Sequence, residues 1–63
     1  MANRTVLRHK DENGDLYRLA NRGYAFGFQI QRKRGHDYVL MEDLGWMSEA
    51  DARAFFHQYM GLE

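Results

Sequence analysis

Tyr24, Phe26, Phe28 and Ile30 occupy every second position of the run Arg22-Gly23-Tyr24-Ala25-Phe26-Gly27-Phe28-Gln29-Ile30. That is the period of an extended strand with one apolar face, because successive side chains leave the backbone on opposite sides. Such a face is either the floor of a core or an aromatic platform for a partner. A second pattern weighs between the two. Ala52, Phe55, Phe56, Tyr59 and Met60 fall at i, i+3, i+4, i+7 and i+8, one stripe of an amphipathic helix. The stripe needs an apolar floor, and the alternating run is the most continuous one available. The expectation is that Tyr24, Phe26, Phe28 and Ile30 face the helix, with the small Ala25 and Gly27 on the strand's reverse side.

The remaining elements follow from turn chemistry. Residues 5–10 and 15–20 flank Asp11-Glu12-Asn13-Gly14, and Asn-Gly accepts the two positive φ angles of a type I′ turn, which predicts a hairpin. Asn21-Arg22-Gly23 reads as a second turn, and the third strand is expected over 24–32. Arg32-Lys33-Arg34-Gly35-His36-Asp37 reads as a basic turn, followed by a strand from Tyr38 to near Asp43. Ser48 is an N-cap residue with Asp51 three positions on and Met47 in the staple position. Gly61 supplies the stop, and Glu49 and Arg53 form an i, i+4 pair. The predicted class is α+β: an antiparallel meander of three or four strands with one C-terminal helix packed on one face.

With 63 residues the chain makes one small domain, 1–63, and it has no Cys and no Pro. A domain of roughly 60 residues buries only about 60% of the surface its unfolded chain exposes, so its core has little room for an enclosed substrate cavity. Without Cys there is neither a disulfide framework nor a thiolate zinc site. No run approaches the roughly 18 apolar residues of a membrane span, and the N-terminus lacks a secretory apolar region. These features suit a cytoplasmic protein with no membrane partner. The terminal Leu62-Glu63 pair reads as a cloning remnant and carries no weight.

Catalytic candidates are scarce. Ser48 is the only Ser and its cap role accounts for it; Thr5 is the only Thr. His9, His36 and His57 lack ligand spacing. Asp11 to Asp15 has acids at alternate positions, but a calcium loop counted from Asp11 would meet Leu16 where Gly is needed and Arg22 where Glu is needed. Glu42 and Asp43, adjacent in a strand, point to opposite faces. The chain is expected to be non-enzymatic, with no catalytic residue, metal or cofactor.

Charge is unevenly spread. Residues 1–36 carry eight Lys/Arg against three Asp/Glu, or +5, and residues 37–63 carry one Arg against six acids, or −5. The two halves either attract one another inside one fold or give its surface a basic and an acidic pole.

Three resemblances concern nucleic acid. Arg22-Gly23-Tyr24-Ala25-Phe26 matches the first five places of an RNA-recognition signature, after which Gly27 and Gln29 depart from it. The aromatic strand followed by Tyr38-Val39-Leu40-Met41-Glu42 resembles the paired motif strands of cold-shock domains. Residues 24–60 resemble the three-strand-plus-helix units of AP2-type and integrase arm-type DNA-binding domains. That likeness is carried by the ending Leu44-Gly45-Trp46-Met47-Ser48-Glu49-Ala50-Asp51-Ala52-Arg53-Ala54-Phe55. It implies DNA reading by the sheet, with Gln29, Gln31, Arg32, Lys33 and Arg34 at the contacting positions.

In size and build the chain also resembles small phage or mobile-element accessory proteins, including inhibitors of the anti-CRISPR type. That likeness implies a non-enzymatic module that docks onto a larger protein. The candidate partner-binding residues are then Arg32, Lys33, Arg34, His36, Tyr38 and Trp46, since Trp, Tyr and Arg dominate interface hot spots. An exposed sheet edge could also pair with a second copy to give a homodimer. A protein-binding module is the leading expectation and DNA binding the alternative.

Overall fold

A computed structural model describes residues 4–62; Glu63 of the terminal pair lies outside the described residues. Strands β1 (Arg4–Lys10), β2 (Leu16–Asn21), β3 (Phe28–Arg34) and β4 (Asp37–Gly45) precede one helix, α1 (Glu49–Met60). The strands form a single antiparallel sheet in the order β1-β2-β3-β4, so the meander has four members. Sheet and helix make a slab of 32 × 28 × 15 Å, one face of the sheet covered by α1 and the other open.

The core lies between helix and sheet. Leu19, Phe28 and Ile30 from the two central strands meet Ala52 and Phe56 of α1, with Val6, Leu7, Tyr17, Leu44, Met47 and Met60 packed around them. The helix is fixed at both ends as its sequence foretells. Ser48 Oγ accepts a hydrogen bond from the Asp51 amide at 3.1 Å, and Met47 packs on the core from the staple position. At the other end Gly61 takes φ 72° and its amide donates to the Gln58 carbonyl, while the Leu62 amide donates to His57. Of the predicted stripe, Ala52 and Phe56 are buried and Met60 is half-buried; Phe55 and Tyr59 lie at its exposed margins.

Three local expectations are corrected. The third strand begins at Phe28, and Tyr24 and Phe26 belong to the preceding turn, 90% and 54% exposed. The turn is closed by the Arg22 amide donating to Gly27 and by the Phe26 and Gly27 amides donating to Gly23. Gly27, with φ 73°, packs so closely on Gly45 and Trp46 that a Cβ there would press into their backbone. This glycine-bounded turn diverts the chain before the alternation can continue as a strand. Leu19 of β2 supplies the floor that Tyr24 and Phe26 do not.

The second correction concerns the first hairpin. The Gly14 amide donates to the Asp11 carbonyl, so Glu12 and Asn13 are its central residues, and Gly14 follows with φ 88°. The Asp11 carboxylate accepts from the Asn13 and Asp15 amides, each at 2.9 Å, and this side-chain turn displaces the expected type I′ geometry. Third, the basic segment is strand rather than turn: Arg32, Lys33 and Arg34 pair with Val39, Tyr38 and Asp37, leaving only Gly35 and His36 at the tip.

Both sheet edges are irregular. The β1–β2 register shifts between Thr5 and Leu7, and the β3–β4 register shifts twice, between Phe28 and Gln29 and between Ile30 and Gln31. Bulges of this kind locally disrupt the ladder and bend the strand that carries them.

Candidate functional site

The face of the sheet away from α1 carries the chain's most organised polar cluster. Strand pairing fixes its membership. Arg18 lies opposite Arg8 on β1 and opposite Gln31 on β3; Ala20 lies opposite Thr5 and Gln29; Lys33 lies opposite Tyr38. Since Leu19 and Ile30 turn inward to the helix, their neighbours Arg18, Ala20, Gln29 and Gln31 turn outward.

Four side chains on this face form a continuous hydrogen-bonded chain. Arg18 Nε donates to Gln31 Oε1 at 2.7 Å, Gln31 Nε2 donates to Gln29 Oε1 at 3.2 Å, and Arg22 NH1 donates to the same Gln29 oxygen at 3.0 Å. Arg18 also reaches Thr5 Oγ1 at 3.5 Å, and its guanidinium lies 3.5 Å from the centroid of the Tyr38 ring. Arg22 sits 5.2 Å from the Phe26 ring centroid. Gln29 and Gln31 are only 6% and 5% exposed although they project from the uncovered face, because these arginines and their neighbours roof them.

The electrostatics of the two faces differ. The open face gathers Arg8, Lys10, Arg18, Arg22 and Lys33, and among the described strand residues Asp43 is its single carboxylate. Asp43 accepts the Gly45 amide at 3.2 Å. Asp37 and Glu42 align with Arg34 and Ile30, on the helix side. Glu49, Asp51 and Arg53 ride on α1. Glu49 accepts from Arg4 at 3.1 Å and from Arg53 at 3.2 Å, and these two hydrogen bonds, Arg4's first, hold its carboxyl below the ordinary value of 4.5. The open face is thus cationic, while the helix side sets Arg4, Arg32, Arg34 and Arg53 against Asp37, Glu42, Glu49 and Asp51 and is close to neutral.

The predicted site residues are dispersed. Lys33 and Tyr38 are cross-strand partners on the open face. Gln29 and Gln31 are there too, but buried beneath the arginines. Arg32 and Arg34 alternate to the helix side, and Arg32 Nε is buried with no hydrogen-bond partner. His36 is exposed at the β3–β4 tip. Trp46, 58% exposed, stands at the β4–α1 corner, where its ring meets Tyr24 edge-on with centroids 5.8 Å apart. Sequence reading missed Arg8, Lys10, Arg18 and Arg22. For Arg18 the signal was available in β2, where Arg18 and Ala20 alternate with Tyr17 and Leu19.

The described residues enclose no pocket and hold no group of three or more His, Asp or Glu that could grip a metal ion. No described helix is long and apolar enough to cross a membrane. What the open face offers chemically is two hydrogen-bonded guanidiniums, Arg18 and Arg22, beside Arg8, Lys10 and Lys33 on a surface that α1 does not cover. Comparison with family models, with curated proteins and with solved structures finds no match to this chain.

Proposed function

We propose that the open face of the sheet binds duplex DNA. The observation that carries the reading is the charge of that face: four strand cations, Arg8, Lys10, Arg18 and Lys33, with Arg22 just beyond β2, against one strand carboxylate, Asp43, on a chain of zero net charge. DNA affinity comes largely from phosphate neutralisation; Asp37, Glu42, Glu49 and Asp51 lie on the helix side, away from these cations, while Asp11, Glu12 and Asp15 sit in the β1–β2 turn. Arg8 lies directly opposite Arg18, a like-charge pairing that weakens the sheet and that a bound anion would relieve.

The geometry favours a duplex over a single strand. Single-stranded binders stack bases on aromatic planes set among the cations, whereas Tyr38, the aromatic residue of the strands on this face, carries Arg18 on its ring, and the exposed rings of Tyr24, Phe26 and Trp46 belong to the turn before β3 and the β4–α1 corner. The major groove, about 12 Å wide, admits a two-stranded ribbon. The β2–β3 pair, which carries Arg18 and Lys33 with Arg22 just after β2, is flanked by β1 and β4, so here the sheet presents a broader cationic face that Arg8 and Lys10 of β1 extend toward flanking phosphates. Of the contacting positions implied by the resemblance to sheet-reading DNA-binding units, Lys33 is exposed on this face, Gln29 and Gln31 are buried within it, and Arg32 and Arg34 face the helix side.

The two sides of β3 provide a direct test. Fluorescence anisotropy with a labelled mixed-sequence duplex should show weaker binding for Lys33→Ala and near-native binding for its neighbour Arg34→Ala. Equal effects from both substitutions would remove the open face from the account.

A second reading is favoured by one observation. Tyr24, Phe26 and Trp46 form an exposed aromatic corner, with Tyr24 resting on Trp46. Solvent-exposed rings of this kind are characteristic anchors in protein interfaces. In this reading the chain is an accessory or inhibitor module that docks the corner onto a larger protein. Capture from host lysate by the wild type, lost on Trp46→Ala with the thermal melt unchanged, would favour it; equal capture by both would sink it.

A further inference from the structure

We infer that Gln29 and Gln31 are positioning residues, holding Arg18 and Arg22 in one bonded chain that sets where both guanidiniums meet the ligand. The inference rests on the duplex-binding reading and adds to it the residues that determine fit without touching DNA. Both amides are nine-tenths buried or more, so neither reaches a base edge. A buried amide is costly unless hydrogen-bonded, and each of these spends its carbonyl oxygen on an arginine: Gln31 on Arg18, Gln29 on Arg22. The Gln31-to-Gln29 bond closes the chain between them.

The residue type matters as much as the place. A glutamate would hold the same guanidinium, but its charge would cancel the cation that the face presents. Glutamine accepts the hydrogen bond and leaves the positive charge intact. With Nε bound to Gln31 and the plane stacked on Tyr38, Arg18 is ordered before any ligand arrives. It therefore loses less freedom on binding than an unrestrained side chain would.

The test is a double-substitution cycle on the full chain, using a labelled mixed-sequence duplex across a salt series. Gln31→Met keeps length and burial but removes the acceptor. Binding should weaken about ten-fold, close to the lower end of what one hydrogen bond to a charged group contributes. The salt slope should stay unchanged, because no charge is lost, and Gln31→Met should cause no further loss in an Arg18→Ala background. Arg18→Lys leaves Gln31 untouched, so it does not depend on that residue's contribution to folding. It should show a similar loss at constant slope, since lysine keeps the charge without the planar fork. Native affinity in Gln31→Met or in Arg18→Lys, or an undiminished Gln31→Met effect without Arg18, would overturn the positioning role while leaving duplex binding in place. A wild-type chain that does not bind duplex at all would overturn both.

Discussion

Arg18 of β2 reaches across β3 to Tyr38 of β4, its guanidinium 3.5 Å from the ring centroid, with Gln31 enclosed beneath the span. β2 and β4 are not neighbours in the sheet, and with its bond to Thr5 of β1 this one side chain links all four strands. The bridge explains why an amide on the uncovered face is as buried as the core.

Removing the ring should loosen both the arginine and the amide. Tyr38→Leu keeps an apolar side chain in β4 but withdraws the π-face, and cation–π contacts are worth about 0.5–2 kcal/mol depending on desolvation. We expect a stability loss in that range by urea denaturation, together with weaker duplex binding. An unchanged affinity would show that Arg18 finds its place without the stack.

The core makes a sharper contrast. Phe28 is buried against Phe56, while Tyr24, in the same apparent alternation, is almost fully exposed. Phe28→Ala should cost about 3–5 kcal/mol, enough to unfold a domain of this size. Tyr24→Ala should change stability by no more than about 0.5 kcal/mol. Chemical denaturation of the two variants checks the prediction, and comparable losses would mean that the strand begins earlier than Phe28.

That contrast marks how far the sequence could be read. The helix was legible to its caps, because Ser48, Gly61 and the apolar stripe are local signals that agree with one another. The meander was legible from its turns. The start of β3 was not, because alternation alone cannot show that Gly23 and Gly27 take positive φ and fold Tyr24 to Phe26 into a turn. The basic cluster misled for a related reason: three adjacent cations look like one patch, but a strand sends Lys33 to one face and its two neighbours to the other. The Arg18–Gln31–Gln29–Arg22 chain depends on register between strands, set by a hairpin and by a turn whose geometry the sequence does not announce.

Glu49 gives a pH prediction with a defined sign. Its carboxyl is held below 4.5 by Arg4 and Arg53, so the folded state binds that proton less readily than the unfolded chain. Its contribution is therefore present above the ordinary glutamate range and is lost as pH falls through the lowered folded value. Thermal melts of the wild type and Glu49→Gln should differ slightly at neutral pH and converge in acid. The difference should also shrink with salt, as both ion pairs are exposed. A gap that widens on acidification would contradict the assigned ion pairs.

The most direct test of the central claim is the salt dependence of duplex binding by the wild-type chain. Each phosphate neutralised contributes a slope of roughly −0.9 to log K against log salt, so up to five open-face cations predict a slope between about −2 and −4.5. Arg8→Ala should make the slope shallower by about 0.9. Binding that is absent at low salt, or that persists undiminished as salt is raised, would contradict the assignment of the open face to DNA.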